Sequence, residues 1–134
     1  MSTTPHQTVG IPKHETFRQG LFYLAIGLTV TMLAMLTLGL LIFFGNHELA
    51  TMHATIGYFA VLLGIAATVA AWRFAKVTHR KGVFFHALSL PILMVVQIGL
   101  GEMAQTHIHM GLGIALLVAV IGLVMMTRKP VATI

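Results

Sequence analysis

The sequence predicts an all-α integral membrane protein, a bundle of four transmembrane helices with up-down topology. Three observations lead there. Of 134 residues, 57% are apolar and 8% charged, and the mean hydropathy is +0.93, which leaves too little charge to cover a water-facing surface. Four stretches, near residues 20–44, 52–75, 83–103 and 108–127, are each long and apolar enough to cross a membrane, whose hydrocarbon core of about 30 Å takes about 20 helical residues. All eight Lys and Arg residues fall on one side of the resulting zigzag.

Helix 1, over residues 20–44, follows Lys13 and Arg18. It is longer than a signal-peptide core and has no A-x-A-like cleavage site, so it is expected to stay in the mature protein. Helix 2, over residues 52–75, ends among Arg73, Lys76, Arg80 and Lys81. Helix 3, over residues 83–103, starts from the same loop, and helix 4, over residues 108–127, ends at Arg128 and Lys129. Connections of a few residues make consecutive helices antiparallel neighbours, so residues 1–134 form one membrane domain. Basic residues mark the cytoplasmic side. Both termini and the middle loop are therefore expected in the cytoplasm, and the loops around Asn46 and Gln105 outside the plasma membrane. A net charge of +5 would point to nucleic acid in a soluble protein; here the same side chains set topology and meet anionic membrane lipid, so nucleic acid is no partner. The chain has no cysteine, which excludes disulfides, iron–sulfur clusters, thiolate ligation and covalent c-type haem.

The candidate site lies at the starts of helices 2 and 4. In helix 2, His53 heads a row formed by Gly57, Ala60, Gly64, Ala67 and Ala71, whose spacings place them on one face. In lipid such a groove serves close helix packing or makes room for a flat ligand held by the histidine. Helix 4 repeats the arrangement, with Gly111 four residues after His107 and Gly113 four after His109. His53 is 20 residues before Arg73, while His107 and His109 are 21 and 19 before Arg128, so depth does not choose between them. Residues two apart on a helix lie on nearly opposite faces. The small residues Gly111, Ala115, Ala119 and Gly122 lie on the His107 side and favour His107 as the inward one.

A weaker match aligns Leu28, Thr29, Leu33, Gly39 and Leu40 of helix 1 with Leu88, Ser89, Leu93, Gly99 and Leu100 of helix 3, the mark of a duplicated helical hairpin. Repeats of this kind place a site between equivalent helices, here 2 and 4. Spreading a packed pair slightly beyond the usual spacing of about 8–10 Å admits a porphyrin between two neutral imidazoles. Imidazole suits iron, copper and zinc alike. The plain alternative is that these histidines are solvated at the membrane interface and cap the helix ends.

His86 sits one turn inside helix 3 at the basic end and shares a face with Leu90, Leu93, Gln97 and Gly101. Gln97 is mid-membrane, where an amide must find a partner, so this face is expected to look into the bundle. No histidine at that depth on another helix pairs with His86, which leaves it to bond a carbonyl or to act as a lone ligand. Glu48 and Glu102, with His47, Met52, Met103, His107, His109 and Met110, offer a further reading, an outer-surface copper or zinc site.

The run His53-Ala54-Thr55-Ile56-Gly57, then Leu90-Pro91-Ile92-Leu93 through Gln97 and Gly101, then His109-Met110-Gly111-Leu112, resembles one four-helix half of haem A synthase. The resemblance implies a bundle with haem ligands at His53 and His109, against the packing argument for His107. It also exposes a departure. The glutamate that the family carries three residues before the helix 2 histidine is here Ala50, and the arginine that commonly follows that histidine is Ala54. The resemblance therefore implies a haem-binding scaffold without the synthase chemistry. The expected function is a b-type haem protein that transfers electrons near the outer face, with a quinol or a periplasmic electron carrier as partner. The alternatives are an accessory subunit or assembly factor of a larger respiratory or photosynthetic complex, a haem-modifying enzyme, and the surface copper site.

Overall fold

The computed structural model describes residues 12–129. Four helices follow one another, α1 (Lys13–Phe43), α2 (Ala50–Thr78), α3 (Lys81–Glu102) and α4 (Thr106–Thr127), with a single 3₁₀ turn at His47–Leu49 before α2. Each is long and apolar enough to cross a membrane, and the chain is a multi-pass membrane protein. α1 packs on α2 and α4, and α3 packs on the same two, so the helices stand at the corners of a square. α2 and α4 are diagonal. That corrects the expectation of a slightly spread, directly packed pair.

Local chemistry explains the boundaries. Pro12 precedes α1 with φ −59°, at a place where its missing N–H costs nothing. α1 ends before Gly45, whose φ of +109° turns the chain back. α2 closes on His79 in the left-handed region, and the His79 N–H donates to the Ala75 carbonyl at 2.8 Å. The loop after α3 turns at Ala104, also left-handed with φ 56°.

α1 starts seven residues before the apolar stretch that foretold it, because Arg18 does not lie free in the headgroup layer. It is 7% exposed. Its guanidinium donates to Glu15 at 2.8 Å and to the carbonyls of Thr127 and Arg128 at 2.6 and 3.3 Å. The last carbonyls of α4 have no intrahelical partner, and Arg18 supplies one from a neighbouring helix. The start of α1 is thereby tied to the end of α4.

The buried core fills only half of the bundle. It runs through Leu21, Ala25, Leu28 and Met32 on α1, Ala60, Ala67, Ala71 and Phe74 on α2, Val83, Ala87, Leu90 and Met94 on α3, and Leu116, Val120 and Leu123 on α4. Most of these lie toward the basic end, and Met32, Ala60, Met94 and Leu116 reach the middle of the bundle, where they border the space above the core. The small face of α2 is buried from Gly57 through Ala71, as its spacing predicts. There α3 comes close: Pro91 and Met94 lie within 3.4 Å of where a Cβ on Gly64 would stand, and the Thr68 hydroxyl reaches the Ala87 carbonyl at 2.9 Å. The hydroxyl, satisfied on a neighbouring helix, stabilises this packing without an exposed polar group.

Candidate functional site

In the other half of the bundle the core gives way to a cavity of about 640 Å³ between all four helices, within the range of about 300–1,000 Å³ usual for small-molecule sites. Its wall is mostly apolar and includes Met32, Met35, Met94 and Met110. His53 from α2 and His109 from α4 project into it, with ring centres 6.0 Å apart and planes inclined by 53°.

Each ring lies over a glycine of the preceding helix. A Cβ on Gly39 would stand 3.4 Å from His53 Cε1 and 4.0 Å from its Nδ1, and a Cβ on Gly101 would stand 3.2 and 3.3 Å from the same atoms of His109. One turn away the pattern repeats in reverse, with Met35 over Gly57 (3.3 Å) and Gln97 over Gly113 (3.0 Å). The two hairpins thus match in geometry. Gly39 corresponds to Gly101 and Met35 to Gln97, two residues further along helix 3 than the sequence match that paired Gly39 with Gly99.

Gln97 and His109 form a reciprocal pair. The Gln97 side-chain amide donates to the His109 carbonyl at 2.6 Å, and His109 Nδ1 lies 2.9 Å from the Gln97 carbonyl. A carbonyl only accepts, so Nδ1 carries the proton and Nε2 is left as a free lone-pair donor. His53 Nδ1 and Gln97 Oε1 are buried without a well-formed hydrogen bond, two polar atoms poorly satisfied beside the cavity.

Two imidazoles each about 2.0 Å from a shared metal atom have ring centres about 6 Å apart, so the observed separation fits one metal atom between the rings. Two histidines do not make a metal site by themselves. Among the described residues no group of three or more His, Cys, Asp or Glu could hold an ion. The remaining donors would have to come from the ligand, as the four nitrogens of a macrocycle do.

The other expected site residues divide. Gly57 lines the cavity beside His53, as do Gln97 and His109. His107 does not; it is exposed on the far side of α4. The packing argument for it is corrected, because Gly111 and Ala115 are exposed with it, while Leu116, Val120 and Leu123 fill the core. In lipid a large side chain on the inner face of α4 serves the packing as well as a small one. Gly64 lies outside the cavity, its notch taken by Pro91 and Met94. His86 is also elsewhere, in the basic half, donating from Nε2 to the Ala119 carbonyl at 2.8 Å beside Gly122.

Sequence reasoning missed Gly39 and Gly101 as the floors of the two rings, and Met35 as the counterpart of Gln97. Gly39 is 14 residues before its histidine and Gly101 only 8 before its own, since the loops differ in length, so no common spacing marked them. Ala50, Ala54 and Glu102 also line the cavity. No family model matches this chain, and neither a curated protein nor a solved structure matches it.

Proposed function

We propose that this protein binds one haem b in the cavity, where His53 and His109 would hold the iron, and that it carries electrons within the membrane. The observation that supports this reading is the pair of facing histidines, 6.0 Å apart across an apolar cavity of about 640 Å³. The free Nε2 lone pair of His109 and the glycines beside both rings fit a group that completes the site. Bound haem supplies one-electron chemistry, with a potential set by the ligands and the low dielectric around them.

The chain's own residues do the rest. Gln97 holds His109 in the tautomer that leaves Nε2 free. Gly39 and Gly101 leave room for the Nδ1–Cε1 edge of each ring. The apolar wall excludes water, and Ala50 and Ala54 stand in that wall where the haem A synthase family has glutamate and arginine. The likeness to one half of that family therefore supports haem binding and weighs against haem modification. With the basic end in the cytoplasm, the cavity lies near the outer face of a plasma membrane, within reach of a quinol or a periplasmic carrier.

A second reading has one observation in its favour. Gly111 and Ala115 form an exposed small-residue row on α4, of the kind that seats another helix in lipid, as in an accessory subunit of a larger complex. The deciding experiment is an absorption spectrum of the detergent-purified protein, oxidised and dithionite-reduced, with a pyridine haemochrome assay on wild type and His53→Ala. The haem reading expects a sharp reduced α-band that His53→Ala loses. A colourless wild type expressed with ample haem refutes it and leaves the subunit role.

A further inference from the structure

The two histidines are held unequally, and from this we infer that His53 is an exchangeable ligand: a small neutral molecule of the carbon monoxide type displaces it, while His109 stays. The inference rests on the haem reading above and goes beyond it, since an electron carrier needs no exchangeable position.

Equivalent places in the two hairpins carry different chemistry. On the α3–α4 side, the Gln97 carbonyl accepts from His109 Nδ1 at 2.9 Å and the Gln97 amide grips the His109 carbonyl at 2.6 Å. Ring, tautomer and helix are fixed by one residue. On the α1–α2 side the counterpart is Met35, whose thioether donates nothing. Its main-chain carbonyl is turned toward the His53 ring as a weak backbone acceptor, short of full hydrogen-bond geometry at the buried His53 Nδ1. A neutral imidazole that binds a metal through Nε2 carries its proton on Nδ1. For His109 that proton has a well-placed acceptor; for His53 only the weakly placed Met35 carbonyl is near, and a poorly satisfied buried donor opposes the bound state.

The cradles differ in the same sense. His109 Nδ1 is 3.3 Å from the Cβ position of Gly101, whereas His53 Nδ1 is 4.0 Å from that of Gly39, so the His53 ring has more room to turn away. Outer-shell partners of a ligating histidine are worth about 10–100-fold in affinity, and those of His109 are the better placed. The vacated side is apolar, and all eight Lys and Arg lie toward the opposite end of the bundle. Neutral diatomic molecules are therefore favoured there over anions.

Two measurements test this. Nitrogen-15 NMR of the haem-free protein in detergent reads the tautomers directly. His109 should be locked with its proton on Nδ1, and His53 should exchange between both forms; a His109 carrying its proton on Nε2, or two histidines alike, overturns the inference whatever haem does. In the haem-loaded protein, carbon monoxide should replace the bis-imidazole spectrum of the reduced wild type, and azide should leave the oxidised spectrum unchanged. His53→Ala should bind carbon monoxide about 10-fold or more tightly than wild type, with the same product spectrum. A haem-bearing wild type that ignores saturating carbon monoxide overturns this inference alone, whereas a wild type that takes up no haem overturns both readings.

Discussion

Gly111 and Gly113 are two residues apart on α4, and a valine at each should have opposite consequences. At Gly113 the added Cβ would stand 3.0 Å from Gln97 Nε2. The two γ-carbons extend about 1.5 Å further, one covalent bond length, so at least one overlaps the amide unless Gln97 leaves its place. Leaving breaks the 2.6 Å bond to the His109 carbonyl. A buried donor left without a partner costs about 1–3 kcal/mol, and overfilling a packed site costs about 1–3 kcal/mol more. Valine regains about 0.4 kcal/mol of helix propensity over glycine. Gly113→Val is thus expected to destabilise the bundle by about 2–5 kcal/mol.

At Gly111 nothing lies within 4 Å of the added Cβ, and Gly111→Val should stay within about 0.5 kcal/mol of wild type. The assay is reversible unfolding of both variants in mixed micelles, followed by circular dichroism as dodecyl sulfate is titrated in. Equal stability of the two, or a larger loss at Gly111, would show that the His107 face of α4 is the inward one and would undo the site described above.

Other outcomes follow from the same geometry. His109→Ala should abolish haem retention, while His107→Ala and His86→Phe should leave the reduced spectrum unchanged, since neither residue reaches the cavity; haemochrome assays on the three variants decide this. Arg18→Met removes the donor to the Thr127 and Arg128 carbonyls and should destabilise by about 1–2 kcal/mol, read in the same micelle titration. Ala104→Gly relieves a left-handed residue with φ 56° and should stabilise by about 1 kcal/mol. The absence of cysteine makes orientation easy to read. Asn46→Cys in intact cells should react with a membrane-impermeant maleimide and His79→Cys should not; the reverse pattern would invert the proposed topology.

The helical spans were legible because length and hydropathy alone set them, and the hairpin order because the loops are too short for anything else. The inner face of α2 was also legible. Gly57, Ala60, Gly64, Ala67 and Ala71 contrast in size with Tyr58, Phe59 and Leu62 around them, and size remains informative when polarity does not. α4 lacked that contrast in a useful form. Gly111 and Ala115 face outward while Leu116, Val120 and Leu123 face inward, so the same reasoning chose His107 where the cavity holds His109.

The sequence by itself determined that this chain crosses a membrane four times, which end of the bundle is basic, and that histidines stand at the opposite end of α2 and α4. Those are matters of composition and position along the chain. The tertiary structure decided the rest: that α2 and α4 are diagonal, that His53 and His109 face each other, that Arg18 ties α1 to the end of α4, and that Gln97 and Met35 stand at equivalent places beside the two rings. In water, a helix advertises its inner face by the polarity of its outer one. In lipid both faces of a helix are apolar, so the choice between them passes to contacts among residues far apart in the chain.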